Sequence, residues 1–375
     1  MAAPSPGDVE ARVKKNLEGT PYEASALTGL SGGSVNFAYT AALVKPLDDG
    51  TKEVFVKHAE PYMKVRPDTA LSLDRANFEI ECFKRLSETP IIGKTDQGDS
   101  HSITVRTPKY YHYDEANANQ ILEFMPQGIT LKDYVPKYYP ESSDSSEPEA
   151  REIGKTLGSW LKGFHQLAAN HADFRAVAEK NGQGQFFRHL VTFAWLKDRV
   201  EQYPAVLGDA KDIFAEVEQA VTAELKDPSK TQVIHGDFWT GNLLLSDAPM
   251  PQDGGNVILF VVDWEMMHLN VPNADFGLMI AEFYFFSLFK SIPAGLWMLE
   301  AMVEAYGPVT EEFAYRTAIQ IGAHLVCVLT DLNRLPAEQL EKAAAIGKDI
   351  IVHAWNKDRA WFETGDLACI FHQVK

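Results

Sequence analysis

Apolar and polar positions divide the chain into a strand-forming front and a helix-forming back. Alternation or short apolar runs, bounded by Gly, Asn and Asp, predict strands at Ser25–Leu30, Phe37–Leu43, Glu53–His58, Ile103–Thr107 and Gln120–Met125. Within this front half Phe78, Cys82, Phe83 and Leu86 recur at helical spacing and predict a helix over Leu73–Leu86. The Pro-, Ser- and acid-rich stretch Tyr139–Glu149 reads as a solvated loop. It ends in a helix start, with Ser146, Glu149 three residues on and Pro148 in the first turn. The helix so begun places Ile153, Leu157, Trp160, Leu161 and Phe164 on one face. Beyond it the pattern is mainly helical, broken by a strand-rich island at Thr231–Asp263. These patterns predict an α+β fold of two lobes with a cleft between them.

Composition narrows the function classes. The chain has 375 residues, 35 Lys+Arg against 52 Asp+Glu, and a formal charge of −17. That balance argues against nucleic-acid wrapping, which needs clustered cations, and against an anionic membrane surface. Hydrophobic residues at 45% allow a large core. Cys82, Cys327 and Cys369 are too few and too dispersed for a disulfide framework or a thiolate zinc site. No apolar stretch has the length of a membrane span, and the first residues lack a signal-like apolar core. A soluble cytoplasmic protein is the expectation; the sequence carries no sign of oligomeric state.

The chemistry concentrates in VIHGDFWTGNLLL and the later NVILFVVDWE. Asp237 and Asn242 share a short loop between two apolar strands, and Asp263 ends the apolar run Val257–Val262. A carboxylate at the end of a buried strand is costly unless a cation meets it, and Mg²⁺ favours one or two carboxylates plus substrate oxygens. The set fits phosphoryl transfer: Asp237 accepts or orients a hydroxyl proton, while Asn242 and Asp263 hold metal against phosphates. Asp and Asn also satisfy turn backbone, and only their order around the hairpin favours chemistry. Glu265 is open to three readings: a further metal ligand, an acceptor contact or a surface acid.

HGDFWTGN followed by VVDWE resembles the aminoglycoside phosphotransferase/choline kinase family of small-molecule kinases, over about Ala26–Ala281. The resemblance implies the protein-kinase fold, ATP as donor and a small-molecule hydroxyl as acceptor. It makes residues 1–126 the nucleotide-binding lobe and 127–375 the catalytic and acceptor lobe. Lys57, on a strand whose alternation groups it with Phe55, would hold the donor phosphates. Its partner would be Glu79, or else Glu81, which points some 200° round the helix. The loop GLSGGSVN lacks the G-x-G-x-x-G spacing, yet its Ser31, Gly32, Gly33, Ser34 and Asn36 resemble the family's phosphate-covering loop. The backbone of Glu123 and Met125 would meet adenine.

Asp275-Phe276-Gly277 imitates the metal-binding triplet of protein kinases, but LNVPNA before it is no strand. Asp275 reads instead as a helix cap or structural acid, and the family often has an Asp here bracing the catalytic loop. About a dozen residues separate Asp263 from Asp275, too few for a protein kinase's activation segment. His235 reads as packed under the loop, and the aromatic run Phe283–Phe289 as core. Family members phosphorylate aminoglycosides, choline, methylthioribose, homoserine and fructosamines, and the sequence does not choose among these acceptors. A catalytically silent nucleotide-binding protein is the alternative to a kinase.

Overall fold

The computed structural model describes residues 4–88, 91, 102–143, 146–251, 255–330 and 335–375. Parts of the acidic loop, 144–145, and of the hairpin after Ser246, 252–254, lie outside the described residues. The chain forms two compact units, Met1–Pro90 with Thr107–Gln127, and Ile91–Arg106 with Gly128–Lys375.

The first unit is built on an antiparallel sheet of five strands, in the order Ala24–Gly29, Phe37–Leu43, Glu53–His58, Asn119–Glu123, Tyr110–Asp114. Alternation sends Val54 and Val56 to one face, where with Tyr39, Ala41 and Ile121 they cover Val9, Val13 and Leu17 of a helix, Pro6–Leu17. That helix begins in a capping box, the Ser5 hydroxyl on the Asp8 amide and the Asp8 carboxylate on the Ser5 amide, with Pro6 in the first turn. Burying its three apolar side chains contributes on the order of 1.5–3 kcal/mol each. Phe55 and Lys57 face the other way, and Lys57 stands opposite Gln120 in the register. A second helix runs over Arg75–Glu88.

In the second unit Ser102–Arg106 pairs in parallel with Asn256–Val261, followed across the sheet by Leu243–Ser246 and Gly128–Thr130. The sequence pattern groups 103–107 with the front strands. Its hydrogen bonds go instead to the strand that delivers Asp263, with Ile103 and Val105 buried on one face of the parallel pair. A two-stranded ladder joins Gln232–Ile234 to His268–Asn270. The remainder is helical. The fold is therefore α+β, with a β-rich N-terminal region and a helical C-terminal one. Among the described residues no helix is long and apolar enough to cross a membrane.

Two helices show what the apolar pattern encodes. Asn273–Lys290 is apolar on nearly every side and buried along almost its whole length. Ser146–Asn170 lies against Ala294–Tyr306 so closely that a Cβ on Gly154 would stand 2.1 Å from the Met298 carbonyl oxygen. The expected Ser146–Glu149 box is not formed. The Ser146 hydroxyl donates to the Ser143 carbonyl at 2.9 Å, and Glu149 accepts from the Tyr139 hydroxyl at 3.1 Å. A nearby loop acceptor and a buried tyrosine satisfy the two side chains that the box would have joined.

The helix contact makes a direct prediction. Alanine gains about 1 kcal/mol of helix propensity over glycine, so any loss must come from the steric overlap. Gly154→Ala should be destabilised by about 2 kcal/mol and melt several degrees lower, whereas Gly182→Ala, with open space at its Cβ, should not. Equal melting of the two variants by circular dichroism would show that the helices do not approach this closely.

Candidate active site

The loop leaving Gln232–Ile234 turns sharply at His235-Gly236-Asp237. Gly236 has φ +81°, and a Cβ there would lie 2.2 Å from the Met266 carbonyl oxygen, so only glycine fits. The turn leaves two amides facing the interior, and one buried carboxylate takes both. Asp275 accepts from the His235 amide at 2.7 Å and the Gly236 amide at 2.9 Å, and is 1% exposed. His165 Nε2 stands 3.6 Å from the same carboxylate, an ion-pair distance. Burial acts to raise the Asp275 pKa, but the His165 ring, His235 and its amide outweigh it and hold the group below the usual carboxylate range. Asp275 is thus the structural acid and not the metal-binding member of a triplet.

His235 is fully buried and neutral. Its Nδ1 accepts from the Asp237 amide at 3.2 Å, so its Nε2–H donates to the Val262 carbonyl at 3.1 Å. Burial pushes its pKa down. The ring therefore joins the Asp237 backbone to the residue just before Asp263. The far end of the loop is fastened by the same helix that carries Asp275. The Thr240 hydroxyl donates to Glu282 Oε2 at 2.8 Å, and His324 Nε2 lies 2.8 Å from Glu282 Oε1. Asp275 and Glu282 are seven residues apart, two helical turns or about 10 Å along the axis, on one face.

Asp237 is partly open, with 30% of its side chain exposed. Its Oδ2 accepts from Asn242 Nδ2 at 2.9 Å, and the same amide nitrogen reaches the Asp237 carbonyl at 3.0 Å. Its Oδ1 pairs with Arg188 Nη2, while Arg188 Nε donates to the Gly236 carbonyl at 2.6 Å. With the Asn242 NH₂ committed to Asp237, its Oδ1 points to the opposite side as an oxygen donor. Asp263 sits in the left-handed region, φ 65° and ψ 59°, a strain of order 1–3 kcal/mol for a non-glycine residue. A carboxylate oxygen of Asp263 and one of Glu265 lie within 4.8 Å of each other, and Glu265 is only 6% exposed. Glu265 is therefore not a surface acid. Two carboxylates and an amide oxygen are the hard oxygen donors that suit magnesium.

In the first unit Lys57 Nζ meets Glu79 Oε2 at 2.7 Å, and Gln120 Nε2 donates to the same oxygen at 3.0 Å. All three side chains are buried. Glu81 instead pairs with Lys84 and Arg85 on its own helix. The loop residues Ser31, Gly32, Gly33 and Ser34 are exposed, with φ +95° and +65° at the glycines. Lys64 holds this loop from outside, its Nζ on the Gly32 carbonyl at 2.8 Å and its amide on the Val35 carbonyl at 3.0 Å. Asn36 differs from its neighbours: it is buried, and its Oδ1 accepts from Arg75 at 2.9 Å. The Glu123 amide donates to the Lys109 carbonyl at 2.8 Å, and Met125 follows the strand half-buried. Sequence reasoning missed Arg188, Glu282 and Gln120. Only Gln120 carried a signal, as the strand position that antiparallel pairing sets against Lys57.

A profile of the phosphotransferase enzyme family matches residues 44–315, nearly three-quarters of the chain. The chain belongs to that family. Its activity class is that of a small-molecule kinase. It is 26% identical over 363 residues to phosphotransferase FrzJ of Cladobotryum sp, covering 94% of this chain and 93% of that protein. It is also 26% identical over 304 residues to the 4-hydroxytryptamine kinase of Psilocybe cyanescens, covering 79% and 78%. Among solved structures, the choline/ethanolamine kinase family protein of Mesorhizobium loti aligns with 97% of this chain and 98% of its own, at 15% identity and a TM-score of 0.47.

The buried histidines under the loop predict an acid-sensitive fold. His268 donates from Nδ1 to the Met266 carbonyl at 2.6 Å, and burial lowers its pKa to about 4. The unfolded chain takes up that proton near pH 6.5. Stability should therefore fall as pH drops from about 6.5 towards 4, by up to about 3 kcal/mol from this residue. Urea midpoints at pH 7.5 and pH 5 test it; His268→Gln should flatten the dependence, and identical midpoints for the wild type would contradict the assignment.

Proposed function

We propose that the chain transfers the γ-phosphoryl group of ATP to a hydroxyl of a small molecule, with magnesium as the required ion. The observation that carries the reading is the Asp237–Asn242 pair. The Asn242 amide nitrogen fixes the Asp237 carboxylate and leaves its own side-chain oxygen as a donor, and the Asn242 backbone carbonyl accepts from the Val262 amide at 3.0 Å, next to Asp263. Asp237 orients the acceptor hydroxyl and takes its proton as the oxygen–phosphorus bond forms and the bond to the β,γ-bridging oxygen breaks. Asn242, Asp263 and Glu265 would hold magnesium, which when bound supplies neutralisation of the phosphate charge. Lys57, oriented by Glu79 and Gln120, serves the donor phosphates.

On this reading the exposed amides of Ser31–Ser34 cover phosphate, with Asn36 as a brace. The backbone of Glu123 and Met125 meets adenine. Met1–Pro90 with Thr107–Gln127 form the nucleotide lobe, and Ile91–Arg106 with Gly128–Lys375 the acceptor lobe, of a cytoplasmic protein without nucleic-acid or membrane partners. For the acceptor we favour an aromatic hydroxyl on a small amine. Two relatives are 4-hydroxytryptamine kinases.

ADP release with Mg-ATP over 4-hydroxytryptamine, choline and aminoglycosides decides the reading. Turnover should be highest with the aromatic hydroxyl and fall by roughly 10²–10⁴ in Asp237→Ala, with nucleotide affinity unchanged by calorimetry. No turnover and no Mg-ATP binding would end the kinase proposal; binding without turnover would favour the silent alternative. Asp263→Asn should raise the magnesium requirement at least roughly tenfold. An unchanged magnesium titration would remove Asp263 from the metal site.

A further inference from the structure

We propose that the short helix Gly182–His189, with its cap Asn181, is a positioning bracket that holds the Asp237 turn and the segment after Asp263 as one body. The proposal rests on the kinase reading for its meaning but on contacts of its own. Asn181, Gln185 and Arg188 recur at four and three residues, so they share one helix face. Asn181 Nδ2 donates to the Glu265 carbonyl at 3.0 Å and the Met267 carbonyl at 2.8 Å. Gln185 Nε2 donates to the Leu269 carbonyl at 2.7 Å. Arg188 takes the Gly236 carbonyl at 2.6 Å and the Asp237 carboxylate. One helix face thus collects four backbone carbonyls and a carboxylate from two separate segments.

The spacing of those carbonyls has a cause. Met267 and Leu269 alternate along extended chain, so their carbonyls point the same way, while Glu265 lies in the single 3-10 turn Trp264–Met266 just before them. Around Leu269 the other edge is occupied by the ladder His268–Asn270 makes with Gln232–Ile234. The outward edge would be left unpaired. The helix supplies amide donors where a further strand would have supplied N–H groups. Asn181 is itself fixed, its Oδ1 accepting from the Gly184 amide at 2.9 Å.

Packing does not replace these contacts. A cavity of about 230 Å³ lies beside Asn181 and Gln185, lined also by Arg175, Thr231 and Leu269. The polar donors therefore set the helix's place at that end. At the other end the chain passes from His189 into a π-helical turn, Leu190–Ala194, a local widening common at functional sites. Only 10% of the Arg188 side chain is exposed against 30% for Asp237, so Arg188 faces the loop and not the acceptor. It is a positioning residue: the guanidinium fork sets where the carboxylate stands, and through Gln185 and Asn181 the same helix sets where Glu265 stands.

The bracket predicts coupling that ordinary edge protection would not produce. Hydrogen–deuterium exchange of the full chain without ligands reads it directly. Gln185→Leu touches neither Asp237 nor Gly236, yet it should speed exchange in peptides covering 235–243 as well as 264–270. Arg188→Gln should do the same, more strongly at 235–243. In kinetics with Mg-ATP and the acceptor that the wild type phosphorylates, Arg188→Gln should lose roughly 10–100-fold in kcat with KM within about twofold, and Arg188→Lys should recover part of it. Faster exchange confined to 264–270 in Gln185→Leu, or a KM change as large as the kcat change, would overturn the bracket. A wild type that phosphorylates nothing would instead refute the kinase reading, and the exchange result would still decide this one.

Discussion

The structure of the loop His235–Asn242 depends on a single buried carboxylate. At His235-Gly236-Asp237 the chain must reverse beneath the Met266 carbonyl, which forces a positive φ on Gly236 and turns two amide hydrogens into a dry interior. Unmet, each would cost on the order of 1–3 kcal/mol. Asp275 meets both, and as a charged acceptor it makes stronger hydrogen bonds than a neutral group would. Its own burial is offset by the same amides and by His165, so turn and carboxylate stabilise one another. Neither would be tenable alone.

That requirement explains the helix Asn273–Lys290. It has to lie deep enough to put Asp275 under the turn, and hence is apolar almost all round. A second buried acid, Glu282, lies two turns on along the same face and fixes Thr240 at the loop's other end. His235 adds the lateral tie, from the Asp237 amide to Val262. Backbone and buried side chains thus carry the support. Asp237 and Asn242 need do little for the fold, which leaves them available for chemistry.

How much of this was legible depends on the range of the interaction. Phe37–Leu43 and Glu53–His58 form where alternation places them, because one face of each meets the core and local pattern records that. Asp237, Asn242 and Asp263 are legible because one loop and one hairpin carry them. Arg188 was invisible: it reaches Asp237 across about fifty residues of sequence, and an arginine in NGQGQFFRHL looks like any solvated cation. Glu282 hides inside an aromatic run for the same reason. The helix Pro6–Leu17 is a different failure. The sequence pattern assigns it no element, although its capping box and its Val9, Val13, Leu17 stripe are written locally and Pro is at home in a first turn. The strand 102–106 shows the limit of pattern alone, since an apolar strand does not say which strand it joins.

The loop is gripped from two directions by groups of opposite kind. The helix Asn273–Lys290 offers acceptors, Asp275 and Glu282, to the loop's amides and hydroxyl. The helix Gly182–His189 offers donors to its Gly236 carbonyl and to the Asp237 carboxylate. Charge follows the same division: the carboxylates of the first sit with buried histidines, and the guanidinium of the second sits with the one loop carboxylate that remains partly open. A loop held by its backbone on both sides loses little freedom when substrate arrives, so the ordering needed for in-line transfer is largely present beforehand. The left-handed strain at Asp263 fits the same logic. It turns the carboxylate off the end of its strand at a cost of order 1–3 kcal/mol, which the surrounding ties are sufficient to sustain.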